Sequence, residues 1–201
     1  MRRDREEKGS ADGPATDSLF LIFDLDGFKE VNDSYGHSAG DKVLIQVRTL
    51  LESACRKSDS IVRWGGDEFL IVARHTDREA AEKLAERLRY SVKEHVFDLG
   101  NDQTALLSCS IGFAFYPFLS SNPRLFTWEQ VMAVADRALY VAKKSGRNAW
   151  VGVYESEKTH NIEPHRLMPL INERIEDLVA DGMLELRTSI DDHDQLVWAW
   201  A

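Results

Sequence analysis

Two adjacent carboxylates, Asp67 and Glu68, follow a pair of glycines in the segment IVRWGGDEFLIV, residues 61–72. Short runs of β-branched and aromatic residues flank Gly65 and Gly66. Two glycines between such runs predict a tight hairpin, because glycine readily adopts positive φ. A turn without bulky side chains leaves room for a large anion. Carboxylates repel phosphate, and a divalent cation that binds both commonly holds them together. The residues alone also fit a solvated acidic turn, since turns favour Gly and Asp.

A second pair of acids, Asp24 and Asp26, follows the apolar run Leu19 to Phe23, which has the length of a buried strand. Acids at the carboxyl ends of buried strands form nucleotide and metal sites in many sheets. Mg²⁺ needs one or two carboxylates besides substrate phosphate oxygens. Asp24 and Asp67 would therefore suffice to hold it if the two strand ends face one another.

Four motifs extend this pattern along the chain in a fixed order. They are DLDGFKEVND at 24–33, YGHSAGD at 35–41, RWGGDEF at 63–69 and ADRALYVAKKSGRN at 135–148. Together they closely resemble the GGDEF family of diguanylate cyclases, over roughly Leu19 to Tyr154. The resemblance implies an α+β domain with a mainly antiparallel central sheet flanked by helices, similar to the ferredoxin-like palm of nucleotidyl cyclases and polymerases. It also implies condensation of two GTP molecules into cyclic di-GMP and two pyrophosphates.

The resemblance assigns the chemistry to the two acidic strand ends. Asp24, Asp67 and the Leu25 carbonyl would hold Mg²⁺ or Mn²⁺. Asp67 and Glu68 would be the catalytic residues, and Glu68 either binds metal or deprotonates the 3′-hydroxyl. A metal lowers the pKa of the hydroxyl and stabilises charge on phosphoryl oxygens. Each subunit of a homodimer would bind one GTP, so that each 3′-hydroxyl meets the other subunit's α-phosphate and one domain alone is inert.

A further set of residues is expected, by resemblance, to bind the substrate. They are Asp26, Gly27, Phe28, Lys29, Asn32, His37, Asp41, Lys143 and Arg147. Amides at the helix start after Gly27 attract phosphate, and Asn32 and Asp41 would read guanine. Lys143 and Arg147 would share a face if their helix continued, and would neutralise phosphate. Without the resemblance, helix caps and a basic helix end explain these residues as well.

An R-x-x-D pattern, Arg56 and Asp59, precedes the GGDEF turn and resembles the family's inhibitory product site. The Arg fork would grip guanine and phosphate while the Asp accepts from the guanine N–H edge. Arg87, on a helix predicted for 78–92, is expected to join them. Taken alone, the pattern also fits a salt bridge at a helix end.

Composition narrows the class of protein. The 201 residues carry a net charge of -9, which disfavours nucleic-acid binding by counterion release. Cys55 and Cys109 show no disulfide or metal spacing, which indicates a reducing compartment. Apolar runs of membrane-spanning length are absent from the sequence. We therefore expect a cytoplasmic protein, with no membrane segment within this chain.

The two ends of the chain depart from the resemblance. Residues 1–18 are predicted to be a truncated, partly disordered segment, in which only Met1 to Arg3 resemble the tail of the family's DxLTGLxNRR motif. Part of the wall around guanine is then missing. Residues 155–201 are predicted to form an acidic appendage, a helix stopped at Gly182 followed by a hairpin of 183–186 and 196–200. Its tryptophans, Trp198 and Trp200, would either pack on the main domain or present a partner surface.

Two other functions remain open at this point. The first is a receptor module that binds cyclic di-GMP at Arg56 and Asp59, or GTP without turnover. The incomplete entry motif favours it, whereas the intact GGDEF residues favour the enzyme. The second is a palm-type nucleotidyltransferase acting on another nucleotide, which Asn32 and Asp41 disfavour.

Overall fold

The computed structural model describes residues 17–161, 164–191 and 195–198. The described strands are β1 (Ser18–Asp26), β2 (Ser60–Gly65), β3 (Glu68–Arg74), β4 (Val96–Gly100), β5 (Gln103–Leu106), β6 (Ser108–Tyr116), β7 (Trp150–Glu155) and β8 (Leu184–Thr188). The described helices are α1 (Phe28–Tyr35), α2 (His37–Ala54), α3 (Arg78–Lys93), α4 (Trp128–Lys144) and α5 (Pro164–Ala180). Among these helices, none is both long enough and apolar enough to cross a membrane.

Six strands form one sheet in the order β2-β3-β1-β6-β7-β8. Neighbouring strands are antiparallel except β6 and β7, which are parallel. The strands β4 and β5 form a separate two-stranded hairpin. The predicted α+β class with a mainly antiparallel sheet is confirmed.

Alternation along β1 divides its side chains between two hydrophobic cores. Phe23 and Leu25 lie in a core shared with α2 and α3, whereas Ile22 lies in a core shared with α4 and α5. Successive side chains of a strand point to opposite faces. Asp24 and Asp26 therefore lie on the α4 face of the sheet, while the Leu25 side chain is buried on the other.

Helix α4 approaches the sheet most closely at Gly112 on β6. A Cβ atom at this position would lie 2.1 Å from the Leu139 backbone nitrogen and 2.2 Å from the Ala135 carbonyl oxygen. These distances are far inside van der Waals contact, so any side chain would push α4 away. This contact sets how closely α4, the helix that carries Lys143, lies on the sheet.

The hairpin between β2 and β3 differs from the prediction in its turn. Gly66 has φ of +49°, but Gly65 does not have positive φ and instead ends β2, paired with Glu68. A register shift between Arg63 and Gly65 moves Gly65 into the strand. The turn residues are therefore Gly66 and Asp67, and Glu68 is the first residue of β3 rather than part of the tip.

Helix α5 begins at Pro164, earlier than predicted, because proline is well suited to a first helical position. It kinks at Arg174, which has non-helical φ and ψ of -147° and 45°. The predicted stop at Gly182 is confirmed: this glycine has φ of +67°, and the next amide bonds back to the Leu178 carbonyl oxygen at 2.8 Å.

The chain end joins the main sheet. The strand β8 pairs with β7, whose edge would otherwise leave its backbone groups unpaired. Of the hairpin partner predicted at 196–200, the described residues 196–198 do not pair with β8. Residues 195–198 form no strand, and Ala199 and Trp200 lie outside the described residues. Trp198 packs against the core shared by α4 and α5. The predicted disordered N-terminal segment also lies outside them, apart from Asp17 and Ser18.

We predict that Gly112→Ala lowers the free energy of unfolding by roughly 1–3 kcal/mol or more, because α4 must shift to admit the methyl group. Gly65→Ala is the matched control, since a Cβ there meets nothing within 4 Å and φ is not positive. Urea unfolding of both variants measures the difference. Equal stability of the two would contradict the close packing described for α4.

Candidate active site

A cavity of about 370 Å³ lies at the carboxyl end of β1, between the start of α1, the β2–β3 turn and the end of α4. It is lined by Asp24, Leu25, Asp26, Gly27, Phe28, Lys29, Glu30, Asp67, Lys143 and Arg147. Most of the residues predicted from sequence to bind metal or phosphate therefore line one cavity. Glu30 was not predicted, and an acid one position after Lys29 gave no signal that would have identified it.

Asp24 is the most buried carboxylate of the cavity wall, with 6% of its surface exposed. One of its oxygens lies 2.7 Å from the Lys143 ammonium. Burial raises the pKa of Asp24 to about 6; the charges of Asp67 and Glu68 also raise it, while Lys143 lowers it. The pKa is therefore raised chiefly by the loss of water around Asp24, which the contact with Lys143 offsets only in part.

Asp67 and Glu68 meet Asp24 through the register of the sheet. Glu68 is the direct cross-strand partner of Asp24, which places the two side chains on the same face. Asp67 precedes it on the turn, and Arg63 braces that turn by donating from Nε to the Gly66 carbonyl oxygen at 2.9 Å. Within the described part of the chain, no three His, Cys, Asp or Glu side chains converge closely enough to form a metal site by themselves.

Asp26 has both carboxylate oxygens bonded to protein donors. The Ser110 hydroxyl donates to Oδ1 at 2.8 Å, and the Ser108 hydroxyl and the Asn148 backbone N–H donate to Oδ2 at 2.7 and 3.1 Å. Asp26 thus ties β1 to β6 and to the loop after α4. The alternating serines of the segment SCS were the available signal for this role, and sequence reasoning missed it.

The start of α1 forms part of the cavity wall. Gly27 precedes the helix with φ of +81°, a conformation that favours glycine, and it offers no side chain to cap the first turn. Phe28 and Lys29 follow and line the cavity wall. Uncapped amides at a helix start carry partial positive charge and attract phosphate.

Lys143 and Arg147 line the same cavity but do not share a helix face. The helix α4 ends at Lys144, Gly146 has φ of +106° and Arg147 has φ of +62°. The condition for a shared face, a helix that continues to Arg147, is not met, because the chain turns left-handed at Gly146. The turn nevertheless brings Arg147 back to the cavity that Lys143 reaches from the last helical turn.

The two residues expected to read guanine flank the junction of α1 and α2. A Cβ on Gly40 would lie 2.1 Å from Asn32 Oδ1, so the absence of a side chain lets the amide of Asn32 approach the start of α2 beside Asp41. His37 is the exposed first residue of α2. Neither Asn32 nor His37 lines the cavity at the carboxyl end of β1, here called the phosphate cavity because Lys143 and Arg147 line it.

Asp41 lines a neighbouring cavity of about 610 Å³ between α2 and the β2–β3 hairpin. Its other lining residues are Leu44, Ile45, Arg48, Glu52, Ile61, Arg63 and Phe69. The apolar floor suits a planar base, and Asp41 supplies an acceptor at one end. Sequence reasoning did not identify the floor, because these residues follow the ordinary apolar spacing of α2 and β2.

The residues of the R-x-x-D pattern converge in a third, smaller cavity. Arg56, Asp59 and Arg87 line about 140 Å³ together with Lys83 and Thr76. Asp59 accepts from the Arg56 backbone N–H at 2.8 Å, which makes the segment a local turn. The Arg87 guanidinium donates to the Ala54 carbonyl oxygen at 2.7 and 3.1 Å.

Comparison with known proteins points to the family that the four sequence motifs resemble. Residues 7–149 match the family model described as diguanylate cyclase, GGDEF domain. Diguanylate cyclase DosC from Escherichia coli is 37% identical over 144 residues, which are 72% of this chain and 30% of that protein. Diguanylate cyclase A from Treponema denticola is 38% identical over 128 residues, 64% of this chain and 33% of that protein. The chain thus spans about a third of the length of these relatives.

Solved structures agree with these relatives. The GGDEF domain of YfiN (TpbB) from Pseudomonas aeruginosa superimposes with a TM-score of 0.60 and 32% identity, covering 66% of this chain and 80% of that one. The GGDEF domain of DgcB from Caulobacter crescentus, in complex with cyclic di-GMP, gives 0.60 and 27% identity, with 66% and 75% covered. By sequence and by structure, the chain belongs to the GGDEF diguanylate cyclase family.

Proposed function

We propose that this chain condenses two GTP molecules into cyclic di-GMP and two pyrophosphates. The observation that carries the proposal is the cavity in which Asp24, Asp67 and the start of α1 meet Lys143 and Arg147. Acids and cations that line one cavity match a triphosphate bound with a divalent cation. The relatives named above as diguanylate cyclases support the same reaction.

The donor set fits Mg²⁺ or Mn²⁺. Asp24 is almost buried, its pKa is raised to about 6, and Asp67 and Glu68 add negative charge beside it. Mg²⁺ takes one or two carboxylates and completes its shell with water and phosphate oxygens. Asp24, Asp67 and the Leu25 carbonyl would hold the ion. When bound, it would lower the pKa of a nearby hydroxyl and stabilise phosphoryl charge.

The remaining wall of the cavity would orient the triphosphate. Amides at the start of α1, with Lys29, Lys143 and Arg147, would supply positive charge to the phosphates. Asn32 and Asp41 would read the guanine, because Asp accepts from N1–H and the 2-amino group. Glu68, on the face of the sheet that carries Asp24, would accept the proton of a 3′-hydroxyl.

The reaction joins two nucleotides, whereas each chain offers one such phosphate cavity among its described residues. Two copies facing one another would bring each 3′-hydroxyl to the α-phosphate of the other GTP. A homodimer is therefore the proposed catalytic unit. The cavity of Arg56, Asp59 and Arg87 has the donors and acceptor for a guanine and a phosphate, and we assign it to inhibitory binding of the product.

The product cavity also favours a second candidate, a receptor that binds cyclic di-GMP without turnover. The enzyme and the receptor differ in what GTP becomes. Purified chain with Mg²⁺ and GTP yields cyclic di-GMP in the first case and only bound nucleotide in the second. Detection of the product by chromatography decides between them.

We expect Asp67→Asn and Glu68→Gln to lower turnover roughly 10²–10⁴-fold, the usual effect of removing an acid–base group or a charge at a phosphoryl-transfer site. The fold should persist, since neither side chain is buried. Asp102→Asn is the control, because Asp102 lies in the β4–β5 turn with φ of +59°, where asparagine is readily accepted. Retained turnover in both site variants would remove the assignment.

Specific activity is expected to rise with protein concentration until dimers predominate, because half of the proposed reaction centre comes from each copy. Initial rates at saturating GTP, measured over a hundredfold range of chain concentration, test this expectation. A specific activity that stays constant while sedimentation reports monomers would show that one chain is sufficient.

The raised pKa of Asp24 predicts a pH dependence of stability without metal. A carboxyl whose pKa rises from 3.8 to about 6 on folding stabilises the fold most at low pH, and this contribution is lost as pH increases through about 6. In chelator, the melting temperature of Asp24→Asn relative to wild type should therefore increase between pH 4 and pH 7. A difference independent of pH would show that burial does not penalise the charge.

Arg56→Ala should weaken cyclic di-GMP binding by roughly tenfold or more, the effect of losing charge-assisted hydrogen bonds. Lys57→Ala removes the same charge from the neighbouring exposed residue and serves as control. Titration calorimetry with cyclic di-GMP measures both. Equal affinity of the two variants for cyclic di-GMP would show that the product does not bind at Arg56.

A further inference from the structure

The part of the chain that follows the family match is built into the core of the domain. The match ends at residue 149, yet β8 pairs with β7. Apolar residues of α5, among them Ile171, Ile175 and Leu178, share a core with α4. The helix that carries Lys143 is therefore packed between the sheet and an element that the match does not include.

Residues 195–198, here called the C-terminal segment, contact α4 at two points. The Val197 backbone N–H donates to the Ser145 hydroxyl oxygen at 2.8 Å. The guanidinium of Arg137, which is 2% exposed, donates to the Trp198 carbonyl oxygen. The Leu196 side chain of the same segment is buried in the core that α4 and α5 share. The segment thus holds both the middle and the end of α4.

Ser145 is the first residue after α4 and lies in sequence between Lys143 and Arg147, the two cations of the phosphate cavity. Beyond it, Arg147 and Asn148 have φ of +62° and +48°, a conformation that is uncommon for arginine and more readily adopted by asparagine. The Asn148 backbone N–H donates to Asp26 Oδ2 at 3.1 Å, and the Arg89 guanidinium donates to Asn148 Oδ1 at 3.0 Å. The C-terminal segment fixes the other end of this loop, at Ser145.

We propose that the C-terminal segment positions Lys143 and Arg147 for the triphosphate, through its hydrogen bond to Ser145. Ser145 and Val197 are positioning residues in this account, since they act through the two cations. The inference rests on the proposed function, because it concerns how that site holds GTP. It assigns the residues beyond the family match a role in substrate binding.

Ser145→Ala removes the acceptor, and Ser145→Thr retains it. Ser189→Ala is the matched control: its hydroxyl accepts the Trp150 backbone N–H at 3.0 Å, a bond of the same kind between β7 and the residue that follows β8. Calorimetry with Mg²⁺ and a non-hydrolysable GTP analogue measures affinity. Hydrogen exchange of residues 145–149 measures how firmly the loop is held, whether or not nucleotide binds.

We expect Ser145→Ala to bind the analogue about three- to tenfold more weakly, the effect of one hydrogen bond, and to exchange faster at 145–149. Ser145→Thr and Ser189→Ala should stay within about twofold of wild type in affinity. Unchanged affinity and exchange in Ser145→Ala, or equal losses in Ser189→Ala, would overturn the inference. A wild-type chain that binds no nucleotide would instead overturn the proposed function, and faster exchange in Ser145→Ala would then still establish that the segment holds the loop.

Discussion

Asp24 is a carboxylate withdrawn almost completely from water, with one ammonium against it and two further acids beside it. The cost of burying its charge appears in its raised pKa, and Lys143 offsets only part of that cost. Such a site is most stable when additional positive charge enters it. The proposed divalent cation would supply that charge, and phosphate oxygens of the substrate would complete its coordination shell.

The sheet register creates this concentration of charge. Asp24 lies opposite Glu68 across β1 and β3, and opposite Ser110 across β1 and β6. Gly112 lets α4 lie directly on the sheet, which brings Lys143 within reach of Asp24. The apolar strands and helices fix the positions of the charges, so that hydrophobic packing supplies the free energy that holds unfavourable electrostatics in place.

Much of this arrangement follows from local sequence. The apolar run before Asp24 predicts β1, the glycines before Asp67 predict the hairpin of β2 and β3, and the four motifs together predict which residues meet at the cavity. The position of the turn at Gly66 was not predicted, because a register shift between β2 and β3 decides it. The left-handed conformation of Arg147 was not predicted either, because the neighbouring Asn148 bonds to Asp26, which is distant in sequence. The pairing of β8 with β7 was also missed, since an unpaired strand edge cannot be read from the residues that will cover it.

The central claim, that Asp24 and Asp67 hold a cation together with a triphosphate, is tested most directly by titrating the chain with Mn²⁺ and observing free ion by electron paramagnetic resonance. We expect Mn²⁺ to bind weakly to the chain alone and at least roughly tenfold more tightly when a non-hydrolysable GTP analogue is present, because phosphate oxygens complete the coordination shell of the ion. Both Asp24→Asn and Asp67→Asn should abolish that increase. Tight Mn²⁺ binding that survives in both variants would contradict the account.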